Sequence, residues 1–128
     1  MAIRIVQLGS PRGLGEGVRI GTVRRPPRGV PKSLFAKQNW YDVWLPTLAP
    51  SAALVSRRST LHEDAAWRKF AKRYRAEMSK PDASRLLDVL AALSHQTNFA
   101  VGCYCDDEAR CHRSVLRRLL EERGAAIA

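Results

Sequence analysis

A small α/β domain with a mainly parallel sheet flanked by helices is the fold class this sequence predicts. Three observations lead there. Two short segments near the N-terminus alternate apolar and polar residues, two stripes of helical period fill the middle, and a continuous apolar run leads into a third helical stripe. Strand, strand, helix, helix, strand, helix is the order of an α/β layer rather than of segregated halves. The chain of 128 residues is read as a single domain, 1–128, long enough to bury one hydrophobic core.

Each element has its own justification. Ile3-Arg4-Ile5-Val6-Gln7-Leu8 alternates as a strand does and stops at the turn-rich "GSPRGLGEG". Val18-Arg19-Ile20-Gly21-Thr22-Val23 alternates again, which predicts a strand with Val18, Ile20 and Thr22 on one face. The prolines of "RRPPRGVPK" forbid regular structure after it. From there to Pro50 the pattern is irregular, and Trp40, Tyr41, Trp44 and Leu45 are expected to pack that long connection down rather than to stack on bases. Trp67, Phe70, Ala71, Tyr74 and Met78 then form a helical stripe, with Ser59 or Thr60 as the expected cap and a solvated His62 before it. Leu86, Leu87, Leu90, Ala91 and Leu93 mark a second helix, and His95 in the turn after it suits a partner at a helix C-terminus. Phe99 to Cys105 is apolar almost throughout, as expected of a strand buried on both faces. Val115, Leu116, Leu119 and Leu120 stripe the last helix, which Gly124 ends as a C′ residue.

Composition narrows the function classes. No apolar run approaches the ~20 residues of a membrane helix, so no membrane partner is expected. The N-terminal residues are too few and too interrupted for a secretory leader, and the three cysteines, an odd number, suit a reducing compartment rather than a disulfide scaffold. A cytoplasmic location follows as the expectation. The net charge is +10, and residues 1–37 carry eight Arg or Lys against one Glu. Such an excess favours polyanions, either a phosphate-bearing small molecule or nucleic acid, although solubility alone can also account for it.

The stretch "VGCYCDDEARCHRSVLRRLLEERG" holds all three cysteines, and it joins a strand to a helix. In parallel sheets, ligands gather at that kind of junction. Arg24 and Arg25, just past the second strand, belong to the same rim if the two strands are parallel. Cys103, Cys105, Cys111 and His112 offer four possible zinc donors, but the spacing lacks the tight two-cysteine turn that zinc usually takes. If the helix begins near Asp107, Cys111 and His112 merely continue its buried stripe, and no metal or other cofactor is expected. A thiol made acidic by the helix N-terminus and by Arg110, His112 and Arg113 is the enzymatic alternative, with Cys105, Cys111 and His112 as candidate catalytic residues. A Cys-x5-Arg phosphatase loop fails on counting, because Cys111 stands six after Cys105 and Ala109 six after Cys103. Arg113 and Ser114 in the first turn can instead meet a phosphate, together with Arg24, Arg25 and Arg28 from the other side.

"CYCDDEARCHRSVL", with its Cys-His-Arg triplet after a strand, resembles the signature of the bacterial domain of unknown function 488 family. "RPPRGVPK", "YDVWLPTLAPS" and "WRKFAKRYRAEM" resemble further stretches of that family, in its order, so that the resemblance covers about residues 18–123. It implies a small α/β domain and supplies no agreed activity. Many members carry an acidic residue two positions after the first cysteine, where this chain has Cys105. The resulting expectation is a cytoplasmic α/β domain with an anion-binding cleft at the end of the third strand. Arg24, Arg25, Arg28, Arg113 and Ser114 are its expected ligands. A Cys/His-dependent enzyme acting on a phosphorylated or nucleic-acid substrate and a structural metal site are its alternatives, and the sequence is silent on oligomeric state.

Overall fold

A computed structural model describes residues 1–128. Four strands form one sheet: β1 (Ile3–Gln7), β2 (Val18–Gly21), β3 (Val43–Trp44) and β4 (Phe99–Cys103). Their order is β1-β4-β2-β3, and every neighbouring pair is parallel. The helices are α1 (Ala52–Val55), α2 (Asp64–Met78), α3 (Pro81–Leu93) and α4 (His112–Glu122), with short 3₁₀ turns before α2 and before α4. The chain is therefore α/β with a parallel sheet, as its patterning predicts. β4 is the last strand in sequence but a central one in space, and all five of its residues are buried. An unbroken apolar run is what such a position demands.

The helices lie on one face of the sheet. Ile3, Phe99 and Val101, at alternate strand positions, join Phe70, Tyr74 and Met78 of α2, Leu87 and Leu90 of α3, and Leu116, Leu119 and Leu120 of α4 in one buried cluster. These are the predicted stripes apart from Leu93, which is exposed, and Trp67 and Ala71 pack against the cluster's margin. The other face is covered by loops without helices. There Gly21 lies so close to the Tyr41 ring that a methyl group would collide with it. No helix is long and apolar enough to cross a membrane.

Three local expectations need correction, and a charged residue of β2 is buried. The connection read as irregular contains β3, a two-residue edge strand whose amides pair with β2. Within β2, Val18 is 48% exposed while Arg19 is fully buried. Its guanidinium is held by both oxygens of Glu16 at 2.8 and 3.0 Å and by the carbonyls of Ser10 and Asn39 at 2.9 and 2.8 Å. A charge can be buried on those terms, paired and with its donors satisfied. Helix α2 starts at Asp64 after Glu63, and Thr60 uses its hydroxyl on the Arg57 carbonyl instead of capping. Finally, α4 begins at His112 rather than near Asp107. Residues Glu108–Arg110 form a separate 3₁₀ turn, capped by the Asp107 side chain. The expected roles of Gly124 and His95 agree with the structure: Gly124 has φ of 80°, and His95 lies 2.8 Å from its carbonyl.

Candidate functional site

Because β2 and β4 are parallel neighbours, the residues that follow them emerge on the same rim. A cleft of about 240 Å³ opens there, walled by Arg24, Arg25 and Arg28 from beyond β2, by Arg58 and Leu61 before α2, and by the segment from Cys103 to His112. Of the charged residues in its lining, five are arginines and none is acidic.

The arginines differ in what they already do. Arg24 is spent on the backbone, since its guanidinium donates to the carbonyls of Pro46, Ala49 and Pro50 at 3.0 to 3.2 Å. Arg110 pairs with Asp64 at 2.6 Å and lies over the Trp67 ring. Arg25, Arg28 and Arg58 are exposed and take part in no ion pair. Tyr104 steadies the first of them by donating its hydroxyl to the Arg25 carbonyl at 2.8 Å. Arg58 escaped the sequence reading. It sits in "VSRRST", a segment whose approach to the rim depends on how the chain crosses the sheet, and no local signal carries that.

Arg113 and Ser114 are not among the residues lining the cleft. Arg113 is buried, its Nη2 donates to the Cys105 carbonyl at 2.6 Å, and its Nε has no partner. No carboxylate forms an ion pair with it; burial works against its charge, and Cys103, Cys111 and Glu108 favour it. Ser114 donates its hydroxyl to the Cys111 carbonyl at 3.0 Å.

Three cysteines meet at the cleft base. Cys103 and Cys111 are buried with their Sγ atoms 2.6 Å apart, while Cys105 is exposed. Cys111 is the N-cap of α4, its sulfur accepting the Arg113 amide at 3.5 Å. Its interactions with the other thiols push Cys103 upward, and burial adds to the rise. For Cys111 the contact with Cys103 lowers the pKa, but Cys105 and burial outweigh it and carry the thiol up to about 11. Cys105 moves the opposite way. Interaction with Cys103, then with Cys111, holds it well below the usual thiol range, and the Arg113 charge works in the same direction. The contacts among the thiols thus favour the thiolate at the accessible Cys105 and disfavour it at the two buried sulfurs.

His112 is buried and neutral, because loss of solvation takes its pKa down to about 4. Its Nε2 lies 2.8 Å from the Thr22 carbonyl, which only accepts, so the proton sits on Nε2 and leaves Nδ1 as an acceptor 3.7 Å from Cys111 Sγ. Cys103, Cys111 and His112 have donor atoms within 4.8 Å of one another, close enough for one ion. Two thiolates on a tetrahedral zinc stand roughly 3.7 Å apart, given Zn–S bonds of ~2.3 Å. The 2.6 Å pair would have to open before it could hold zinc. His62 is exposed, far along the chain from this cluster and near only Glu63 at 3.9 Å. Of the three aromatics of the long connection, Tyr41 is buried, and Trp40 meets Tyr104 edge to face. The indole N–H of Trp44 donates to the Val23 carbonyl at 2.7 Å, as expected of packing residues.

Comparison with known proteins gives one family. No curated protein and no solved structure matches the chain. The family model described as the active DUF488-N3 subclade spans residues 3–124, from the start of β1 to the glycine that ends α4 and so beyond the 18–123 of the sequence resemblance, and the protein belongs to the DUF488 family.

Proposed function

We propose that the cleft binds a phosphate-bearing anion, held by Arg25, Arg28 and Arg58. One observation carries this reading: three exposed arginines without carboxylate partners line a hollow that has no acidic residue in its wall. Cations gathered without counter-charge repel one another, and an anion relieves that repulsion. Arg24 supports the wall by fixing the 46–50 loop, and Arg113 with Ser114 supports the cysteine segment from beneath. To test it, Arg25→Ala and Arg28→Ala are titrated with inorganic pyrophosphate and with a nucleoside monophosphate by calorimetry. Each charge-assisted contact contributes on the order of 1.5–3 kcal/mol, roughly ten- to a hundred-fold in affinity. The double variant loses less than the sum, since both groups hold one ligand. Both side chains are exposed, so melting temperatures should stay near that of the parent. Lowered stability with unchanged affinity would instead make these arginines part of the scaffold and end the proposal.

A second reading, that the cleft also performs thiol chemistry on its anion, is favoured by the exposed, acidified Cys105 at its base. The matched subclade is described as active, which supports an enzyme. In this reading Cys105 is the nucleophile. Cys111 and His112 lie behind it, the imidazole placed to exchange a proton with Cys111 through Nδ1.

A further inference from the structure

A second hollow of about 190 Å³ lies beside the cleft, and the two share Leu61 and Phe70 as a common wall. Its charged lining consists of Arg57, Lys69 and Arg73, again with no acidic residue. All three are exposed and none is in an ion pair. Lys69 and Arg73 are one helical turn apart on α2, about 6 Å along its axis, a spacing that suits successive phosphates of a strand. A single phosphate in the first cleft leaves these cations without a role. From these two adjoining acid-free hollows we propose that the ligand is single-stranded nucleic acid, with one nucleotide in the thiol cleft and the neighbouring phosphates in the second hollow.

This inference rests on the anion reading of the first cleft and extends it. Concave basic hollows follow a strand backbone, whereas an anionic membrane meets a flat face bearing exposed apolar anchors. The large exposed apolar residues of this chain are Met1, Leu14, Val18, Val43, Trp44, Val89 and Leu93, and none lines either hollow. The strand is single because a cleft that accepts a nucleotide at its base requires the base to be unstacked and unpaired. Tyr104, which lines the cleft, offers a ring for it to lie against.

The experiment compares two variants with two sizes of ligand. Lys69→Ala/Arg73→Ala removes charge from the second hollow only, and Arg25→Ala/Arg28→Ala from the first only. Binding of fluorescent oligothymidylate and oligouridylate of about 10 nucleotides, and of a nucleoside monophosphate, is measured from low to high salt. The second-hollow variant should bind oligonucleotide at least tenfold more weakly. Its log–log salt slope should be shallower by roughly 0.7 for each phosphate that the variant no longer neutralises. Its monophosphate affinity should not change, while the first-hollow variant should bind both ligands poorly. The two oligonucleotides tell DNA from RNA. If the second-hollow variant binds oligonucleotide as the parent does, while the first-hollow variant fails on the monophosphate, the track is wrong and the cleft stands. If neither variant affects either ligand, both readings fall. Tighter binding of the parent to phosphatidylserine vesicles than to oligonucleotide, abolished in the same second-hollow variant, would also overturn the nucleic-acid assignment.

Discussion

Among single residues, Cys105 is the one whose environment most changes its chemistry. Its neighbours Cys103 and Cys111 share the sequence's thiol pattern but not its exposure, and the same contacts that raise Cys103 lower Cys105. The buried Arg113, which donates to the Cys105 carbonyl, adds its positive charge to the same effect. Alkylation should therefore be selective. Iodoacetamide at about two pH units below the ordinary thiol pKa of ~8.5 should modify Cys105 alone, as read by peptide mass. Arg113→Met should slow that modification while keeping the thiol exposed. Cys103 and Cys111 should react only after unfolding. Uniform protection of all three cysteines in the native protein would remove Cys105 as a nucleophile.

At the scale of elements, β2 and the loop against it show what packing adds to pattern. Gly21 follows Ile20, so it faces away from the helices, and there the Tyr41 ring takes the space a side chain would need. Gly21→Ala should overpack this contact and cost about 1–3 kcal/mol in denaturant unfolding. A smaller partner should recover part of the loss in the double variant Gly21→Ala/Tyr41→Val, and strictly additive effects would show that the two positions do not touch. The elements with long runs or clear periods were legible in the sequence: β4 as a buried strand, and α2, α3 and α4 as amphipathic stripes. What stayed hidden depends on partners distant in sequence. Arg19 reads as a surface residue until Glu16 and the carbonyls of Ser10 and Asn39 close around it. β3 has two residues, too short for alternation to reveal, and becomes a strand only because β2 offers it amide partners. The start of α4 moved because Asp107 caps a separate 3₁₀ turn and leaves Cys111 to cap the helix. Of the candidate site, the rim shared by Arg24, Arg25, Arg28 and the cysteine segment was legible once the strands were taken as parallel. The inward turn of Arg113 and the arrival of Arg58 were not, since each follows from how the loops cross that rim.

Across the whole molecule, the two halves of the chain are joined at His112. This first residue of α4 reaches back to Thr22, just past β2, its Nε2–H donating to the carbonyl with Nε2 2.8 Å from the oxygen, while the Tyr74 ring of α2 packs edge to face on the imidazole. Strand end, long helix and cysteine segment thus meet on one neutral ring, and protonating it would put a charge among buried groups. The consequence for stability has a definite sign. The folded pKa of about 4 lies below the ordinary histidine value of 6.5, so between these pH values the unfolded chain holds a proton that the folded chain does not. Stability from His112 is full above pH 6.5 and falls as pH drops toward 4, by about 3 kcal/mol in all at ~1.36 kcal/mol per unit. Glu16 and Asp42, whose carboxyls lie below their ordinary values, are lost in a lower window, as pH falls from the carboxylate range downward. His112→Gln separates the two, because an amide can still donate to the Thr22 carbonyl but takes up no proton. Unfolding by denaturant at several pH values should show the parent losing stability from pH 6.5 to 4 more steeply than the variant, whose remaining slope there comes from the acidic Cys105, with both declining further below pH 4. Parallel curves for parent and variant across the upper window would mean that the folded protein accommodates a charged imidazole, and the neutral junction between the halves would have to be abandoned.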